Sequence, residues 1–148
     1  MIDQISPQIL IVDDHPSVRA GVRRAIEGAG MRCCGEAASR DEAVAQIALH
    51  NPDGLVLDLN LPDGSGLDVI SWIRELSQTM AILMLTISDE DSHLLAAMKS
   101  GASAYVKNSE VSMAPKKVLE SSGFVTLIVF LDKTRMRNTL ISKSSYCN

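Results

Sequence analysis

Aromatic residues are scarce in this 148-residue chain, which has one tryptophan, two tyrosines and two phenylalanines. That scarcity argues against a stacking platform for single-stranded nucleic acid. Positive charge is not in excess either. The net charge is −4, so no global basic field favours DNA, RNA or an anionic membrane. Cysteine is limited to Cys33, Cys34 and Cys147, an odd number without metal-ligand spacing, and two adjacent cysteines are poorly placed to pair. A reducing, cytoplasmic setting is the simplest expectation. No apolar stretch reaches membrane-spanning length. The first residues, Met1 to Pro7, have no basic segment followed by an apolar core, so no signal peptide and no membrane association are expected. The length suits one domain plus a short appendage and allows a sizeable core.

Three apolar runs, each ending in charge, dominate what is present. Ile9 to Val12 runs into Asp13-Asp14, Leu55 to Leu57 into Asp58, and Ala102 to Val106 into Lys107. If these are parallel strands, their C-terminal ends share one rim of the sheet, where open α/β sheets bind ligands. Three carboxylates and an ammonium there suit a divalent cation and a phosphoryl group.

Strand and helix patterns alternate from residue 8 to about residue 121. After the first run, Pro16 stands where a first helical residue is tolerated. Val18, Val22, Ala25, Ile26 and Ala29 then recur at helical spacing, with Gly28 and Gly30 at the end. Met31–Ala37 is a weaker strand pattern. Ser39 with Glu42 reads as a capping box opening a helix, which Asn51-Pro52-Asp53 breaks. The run to Asp58 does not alternate, which predicts burial on both faces. A turn-rich loop, Leu61 to Gly66, leads into a third helix carrying Trp72. Met80–Leu85 predicts a fourth strand ending at Thr86. The fourth helix, Ser88–Ser100, has Leu94, Leu95 and Met98 as its apolar positions. A strand to Lys107 and a helix over Val111–Ser121 complete five βα units, which predicts a parallel sheet covered by helices on both faces.

At these residues the sequence resembles a known family. Ile-Val-Asp13-Asp14-His15-Pro16, then Asp58 followed by Leu-Pro62-Asp63-Gly64, then Thr86, then Gly101-Ala102-Ser103 leading to Lys107, looks like the receiver (CheY-like) domain of bacterial response regulators. The Asp-Asp-His-Pro variant and the following Val-Arg-x-Gly-Val resemble the subfamily with a LuxR-type helix-turn-helix. The resemblance covers about residues 8–121. It implies a flavodoxin-like, doubly wound α/β fold with strand order 2-1-3-4-5. It further implies Asp58 as phosphoacceptor, Lys107 and Thr86 as groups that meet the phosphoryl oxygens, and Mg²⁺ held by Asp13, Asp14, Asp58 and the backbone carbonyl of Asn60. The implied partner is a histidine kinase. A surface made by the fourth helix, fifth strand and fifth helix would then switch, for a second copy or another partner. The chemistry is sound for these residue types. A carboxylate can form an acyl phosphate, and Mg²⁺ prefers a few hard oxygens with retained water.

The family pattern is broken at one point. Receivers usually leave two residues between an aromatic in the fifth strand and the lysine, whereas Tyr105 and Lys107 are separated by Val106 alone. One residue of change reverses the relative facing of two side chains on a strand. Either the strand is bulged, or Ala104 takes the aromatic position and Tyr105 packs elsewhere.

The expected organisation is a receiver domain over residues 1–122 and an atypical extension over 123–148. Within that extension Phe124–Leu131 predicts a strand that pairs on a sheet edge or in a homodimer. The polar tail beyond it carries Lys133, Arg135, Arg137 and Lys143, too little to make a helix-turn-helix, so no DNA binding is expected from these residues. A phosphohydrolase on a similar fold would want a second carboxylate where Asn60 stands. A receiver that only binds partners, without phosphorylation, is the remaining alternative. His15 reads as a loop histidine at a helix start, His50 and His93 as solvent-facing, and Met84 and Met98 as core filler.

Overall fold

A computed structural model describes residues 6–77, 79–86, 91–107 and 123–124. The alternating patterns resolve into β1 (Gln8–Val12), α1 (Pro16–Gly28), β2 (Arg32–Ala37), α2 (Arg40–His50) and β3 (Gly54–Asp58). A small hairpin follows, β4 (Asn60–Leu61) with β5 (Gly64–Ser65), then α3 (Gly66–Leu76), β6 (Ala81–Thr86), α4 (Asp91–Ser100) and β7 (Ala104–Lys107). The main sheet is parallel with order β2-β1-β3-β6-β7. The hairpin is an addition to the sequence reading, which has only a turn there; two-residue strands are too short to leave a periodic signal.

The sheet has a core on each face. Ile9, Ile11, Val56, Leu83, Leu85, Ala104 and Val106 face α1, where Val22, Ala25 and Ile26 meet them. The alternate residues Leu10, Val12, Leu55, Leu57, Ile82 and Met84 face α2, α3 and α4. All five residues of β3 are buried, as its uninterrupted apolar run predicts.

Local chemistry sets the element ends. Pro16 opens α1. Ser39 Oγ accepts from Glu42 N at 3.2 Å and so caps α2, while Glu42 Oε2 reaches one residue further back than a capping box requires and accepts from Ala38 N at 2.7 Å. Asn51 closes α2 in the left-handed region at φ 46°.

Several expectations need correction. Met98, expected as core filler, is exposed like Leu94 and Leu95, and Ala97 is the residue of α4 buried among those described. The small Ala97 lets α4 sit close to the sheet, while the longer apolar side chains point outward; Met98 is therefore not core filler. His50 and His93 are half-buried. Phe124, expected to open a strand, is helical and fully buried in the core that faces α1. That core therefore reaches beyond residue 122, where the domain boundary was expected. The rest of the expected strand, residues 125–131, and the expected helix over Val111–Ser121 lie outside the described residues, as does Cys147.

The spacing at β7 is resolved. Leu83, Met84, Leu85 and Thr86 pair in unbroken register with Ala104, Tyr105, Val106 and Lys107, so β7 has no bulge. Ala104 occupies the position an aromatic usually takes and joins the core facing α1. Tyr105 packs against the opposite core.

Candidate functional site

The pocket is built by strand ends. β1 and β3 are neighbours in register, with Val12 beside Leu57, so Asp13 and Asp58 emerge next to each other. Burial of the preceding apolar residues on both sides fixes where these carboxylates stand. Asp13 is 4% exposed and Asp58 9%, the two polar residues buried among those described. Ligand atoms of Asp13, Asp14, His15 and Asp58 all lie within 4.8 Å of one another.

Each carboxylate has a different environment. Asp13 Oδ1 accepts the His15 backbone N–H at 2.8 Å, and its main-chain oxygen accepts Arg19 Nη1 at 2.7 Å. Asp14 Oδ1 is buried without a hydrogen bond among the described residues; its 3.0 Å approach to His15 Nδ1 is a charge contact. Asp58 Oδ1 accepts the Asn60 N–H at 3.3 Å. Burial, then the neighbouring Asp13 charge, push the Asp58 carboxyl up from 3.8 to about 6. His15 is shifted upward by its hydrogen bond with Asp13 and by the charge of Asp14.

The donors fit a hard divalent cation. Three carboxylates converge, one oxygen is orphaned, and like charges crowd a buried position. Asn60 stands in β4 with its N–H on Asp58, which puts its backbone at the same pocket. Thr86 and Lys107 end neighbouring strands as a register pair, on the rim where Asp58 ends β3. Their side chains lie outside the described set. The sequence reading thus names residues that gather at one rim.

Three contributors escaped it. By sequence His15 reads as a loop histidine at a helix start, although its adjacency to Asp13-Asp14 is the available signal. Asp63 receives the Arg40 and Asp41 backbone N–H groups at 2.7 and 3.0 Å, tying the loop after Asp58 to the start of α2. Gly66 lies so close to Asp58 that a Cβ there would overlap the Asp58 backbone oxygen. Read from sequence, Gly66 was only a turn glycine.

A parallel five-stranded sheet with this acidic rim matches a known domain. The family profile described as "Response regulator receiver domain" covers residues 9–125. The chain belongs to the response regulator receiver family. Relatives include the nitrate/nitrite response regulator protein NarL of Escherichia coli, 31% identical over 122 residues, covering 82% of this chain and 55% of NarL. The oxygen regulatory protein NreC of Staphylococcus epidermidis is 36% identical over 126 residues, covering 81% of this chain and 58% of NreC. The chain thus spans about half the length of the curated relatives it matches. Among solved structures, a LuxR-family two-component response regulator from Aurantimonas sp. superposes with a TM-score of 0.67 at 31% identity, covering 87% of this chain and 99% of that one. The signal receiver domain of the response regulator NarL from Mycobacterium tuberculosis gives 0.70 at 26% identity, covering 78% and 94%. This receiver therefore resembles those of the LuxR subfamily. Receiver domains of two-component systems interact with histidine kinases and generally bind Mg²⁺ at an acidic pocket. No helix among the described residues is long and apolar enough to cross a membrane.

Proposed function

We propose that this receiver works in the cytoplasm and accepts a phosphoryl group on Asp58 from the phosphohistidine of a histidine kinase. The observation that carries the proposal is the convergence of Asp13, Asp14 and Asp58 within 4.8 Å at the strand ends of a receiver fold. A buried Asp58 with a value of about 6 is a carboxylate at neutral pH and is held away from water. Its oxygen bonds to phosphorus as the donor's P–N bond breaks and the imidazole leaves. Asp13, Asp14, Asp58 and the Asn60 carbonyl are the residues that would hold Mg²⁺. When bound there, Mg²⁺ would supply positive charge to offset that on the transferring phosphoryl oxygens. Lys107 and Thr86, on the same rim, are proposed to take two of those oxygens afterwards. Their engagement is proposed to alter the surface around α4, a switch set off by a local change of charge.

Exposed Leu94, Leu95 and Met98 give α4 an apolar surface for a second copy or another partner. The proposed output is control of transcription, on the example of the relatives named for regulatory roles.

The test is intact mass after incubation with acetyl phosphate and Mg²⁺. The wild type should gain one labile phosphoryl group and Asp58→Asn should not. Equal adducts on both proteins would reject Asp58.

A second reading, a receiver that only binds partners, without phosphorylation, has one observation behind it. Ala104 stands where an aromatic usually couples the pocket to the surface, and Tyr105 faces the other core. Under this reading no adduct forms although Mg²⁺ binds.

A further inference from the structure

Two consecutive residues of β2 hold the main chain of Asp13 from opposite sides. Asp13 N donates to Ala37 O at 3.0 Å. The Asp13 carbonyl accepts Arg19 Nη1 at 2.7 Å, and Arg19 Nε lies 3.3 Å from Glu36 Oε1. Ala37 therefore holds Asp13 directly, and Glu36 holds it through Arg19.

Arg19 is not a freely solvated surface group. Its side chain is 20% exposed and that of Glu36 33%, so the pair is drier than the exposed ion pairs that contribute little. Glu36 also meets a second arginine. Its Oε2 accepts Arg23 Nη1 at 3.1 Å, and Arg23 stands one turn further along α1. One carboxylate thus ties two successive turns of α1 to β2. The rigid guanidinium fork of Arg19 gives one nitrogen to that carboxylate and another to Asp13, which a single ammonium could not do.

The consequence falls on Asp14. A peptide unit is planar, so the Asp13 carbonyl and the Cα of Asp14 share one plane. Holding that oxygen fixes the plane, and with it the point from which the Asp14 carboxylate leaves the chain. Arg19 grips the main chain, so it orients the two acidic residues without occupying either carboxylate.

We infer that Arg19 is a positioning residue: braced by Glu36, it sets the Asp13–Asp14 peptide and through it the affinity of the pocket for Mg²⁺. The inference rests on the cation site proposed above and adds a group from outside its donor set. It differs in sign from a plain charge effect. A guanidinium near three carboxylates repels a cation, so removing its charge alone would tighten Mg²⁺. Removing a support that orients the ligands weakens Mg²⁺ instead, by roughly tenfold or more.

Calorimetric titration of the full chain with Mg²⁺, at fixed pH and ionic strength, tests this. Arg19→Gln keeps a good helix former in α1 and should bind Mg²⁺ at least about tenfold more weakly than the wild type. Glu36→Ala should also weaken binding, by more than Glu27→Ala, which removes an equal charge from the far end of the same chain of ion pairs. In the Arg19→Gln background Glu36→Ala should lose most of its effect, because it acts through Arg19. In the metal-free protein the Asp13 carbonyl carbon resonance should move upfield in Arg19→Gln and in Glu36→Ala, as a weakened hydrogen bond requires, while the resonances of β6 stay in place. Equal or tighter Mg²⁺ binding by Arg19→Gln, an unmoved Asp13 carbonyl, or fully additive losses in the double variant would overturn the assignment. If Arg19→Gln does not fold, Glu36→Ala against Glu27→Ala decides it. A wild type that binds Mg²⁺ but forms no adduct counts against the phosphoacceptor proposal alone, and the affinities still decide Arg19. A wild type that binds no Mg²⁺ overturns both.

Discussion

Gly66, the first residue of α3, stands against the backbone oxygen of Asp58, the last residue of β3, with no room for a Cβ between them. Gly66 N also donates to Leu59 O at 2.7 Å, closing the loop that carries Asn60. The end of β3 and the start of α3 are therefore one packed unit. Gly66→Ala forces backbone apart at this point. The expected cost is about 1–3 kcal/mol, typical of overpacking, read from urea unfolding, together with slower phosphoryl uptake from acetyl phosphate. A variant as stable and as reactive as the wild type would contradict the close approach.

Asp58 should destabilise the metal-free fold at neutral pH. Its folded value of about 6 lies above the ordinary 3.8, so the folded state binds the proton more tightly than the unfolded chain does. The stability contributed by that proton is fully present below pH ~4 and is lost as pH rises through about 6. The penalty at pH 7.5 is on the order of 3 kcal/mol. Asp58→Asn should therefore melt higher than the wild type at pH 7.5 without divalent cations, and the gap should close at pH 4. Added Mg²⁺ should raise the wild type alone. A wild type that melts above Asp58→Asn throughout would refute the burial argument.

Asp63 has the opposite sign. Backbone N–H groups of Arg40 and Asp41 hold its carboxyl below the usual value. Its contribution is present above pH ~3.8 and fades as pH falls through the lowered folded value. Asp63→Ala should melt below the wild type at pH 7, and the two curves should converge in acid. Because Asp63 ties the loop after Asp58 to α2, the same variant should bind Mg²⁺ more weakly.

Arg74 braces the far side of the fold. Its Nε and Nη2 donate to Gly101 O at 2.9 and 2.7 Å, and Nη1 to Ser77 O at 3.3 Å. Gly101 is the turn between α4 and β7 and has φ 111°, a conformation that favours glycine. Arg74→Ala removes hydrogen bonds to a charged group and should cost about 1–3 kcal/mol in urea unfolding. Faster amide exchange should appear at Gly101 to Ser103, where Ser103 N otherwise donates to Ile82 O at 2.8 Å.

The sequence made the sheet legible because β1, β3 and β6 are unbroken apolar runs, and their ends name Asp13, Asp14 and Asp58 directly. Other features depend on contacts between distant segments. Met98 reads as core filler until α4 is seen to rest on Ala97. Tyr105 could not be assigned a face before its pairing with Met84 was known. Phe124 is β-prone by type, yet it fills a core under α1 and is helical. His15 required a rotamer, which no spacing rule supplies.

The proposed phosphoryl transfer makes one covalent bond at one residue, Asp58. Borohydride reduction of the acetyl-phosphate-treated chain, followed by peptide mass mapping, converts an aspartyl phosphate to homoserine and leaves free carboxylates untouched. Homoserine at position 58 alone, formed only with Mg²⁺ present, is the predicted result. Homoserine at Asp13 or Asp14, or at no position despite bound Mg²⁺, would contradict it.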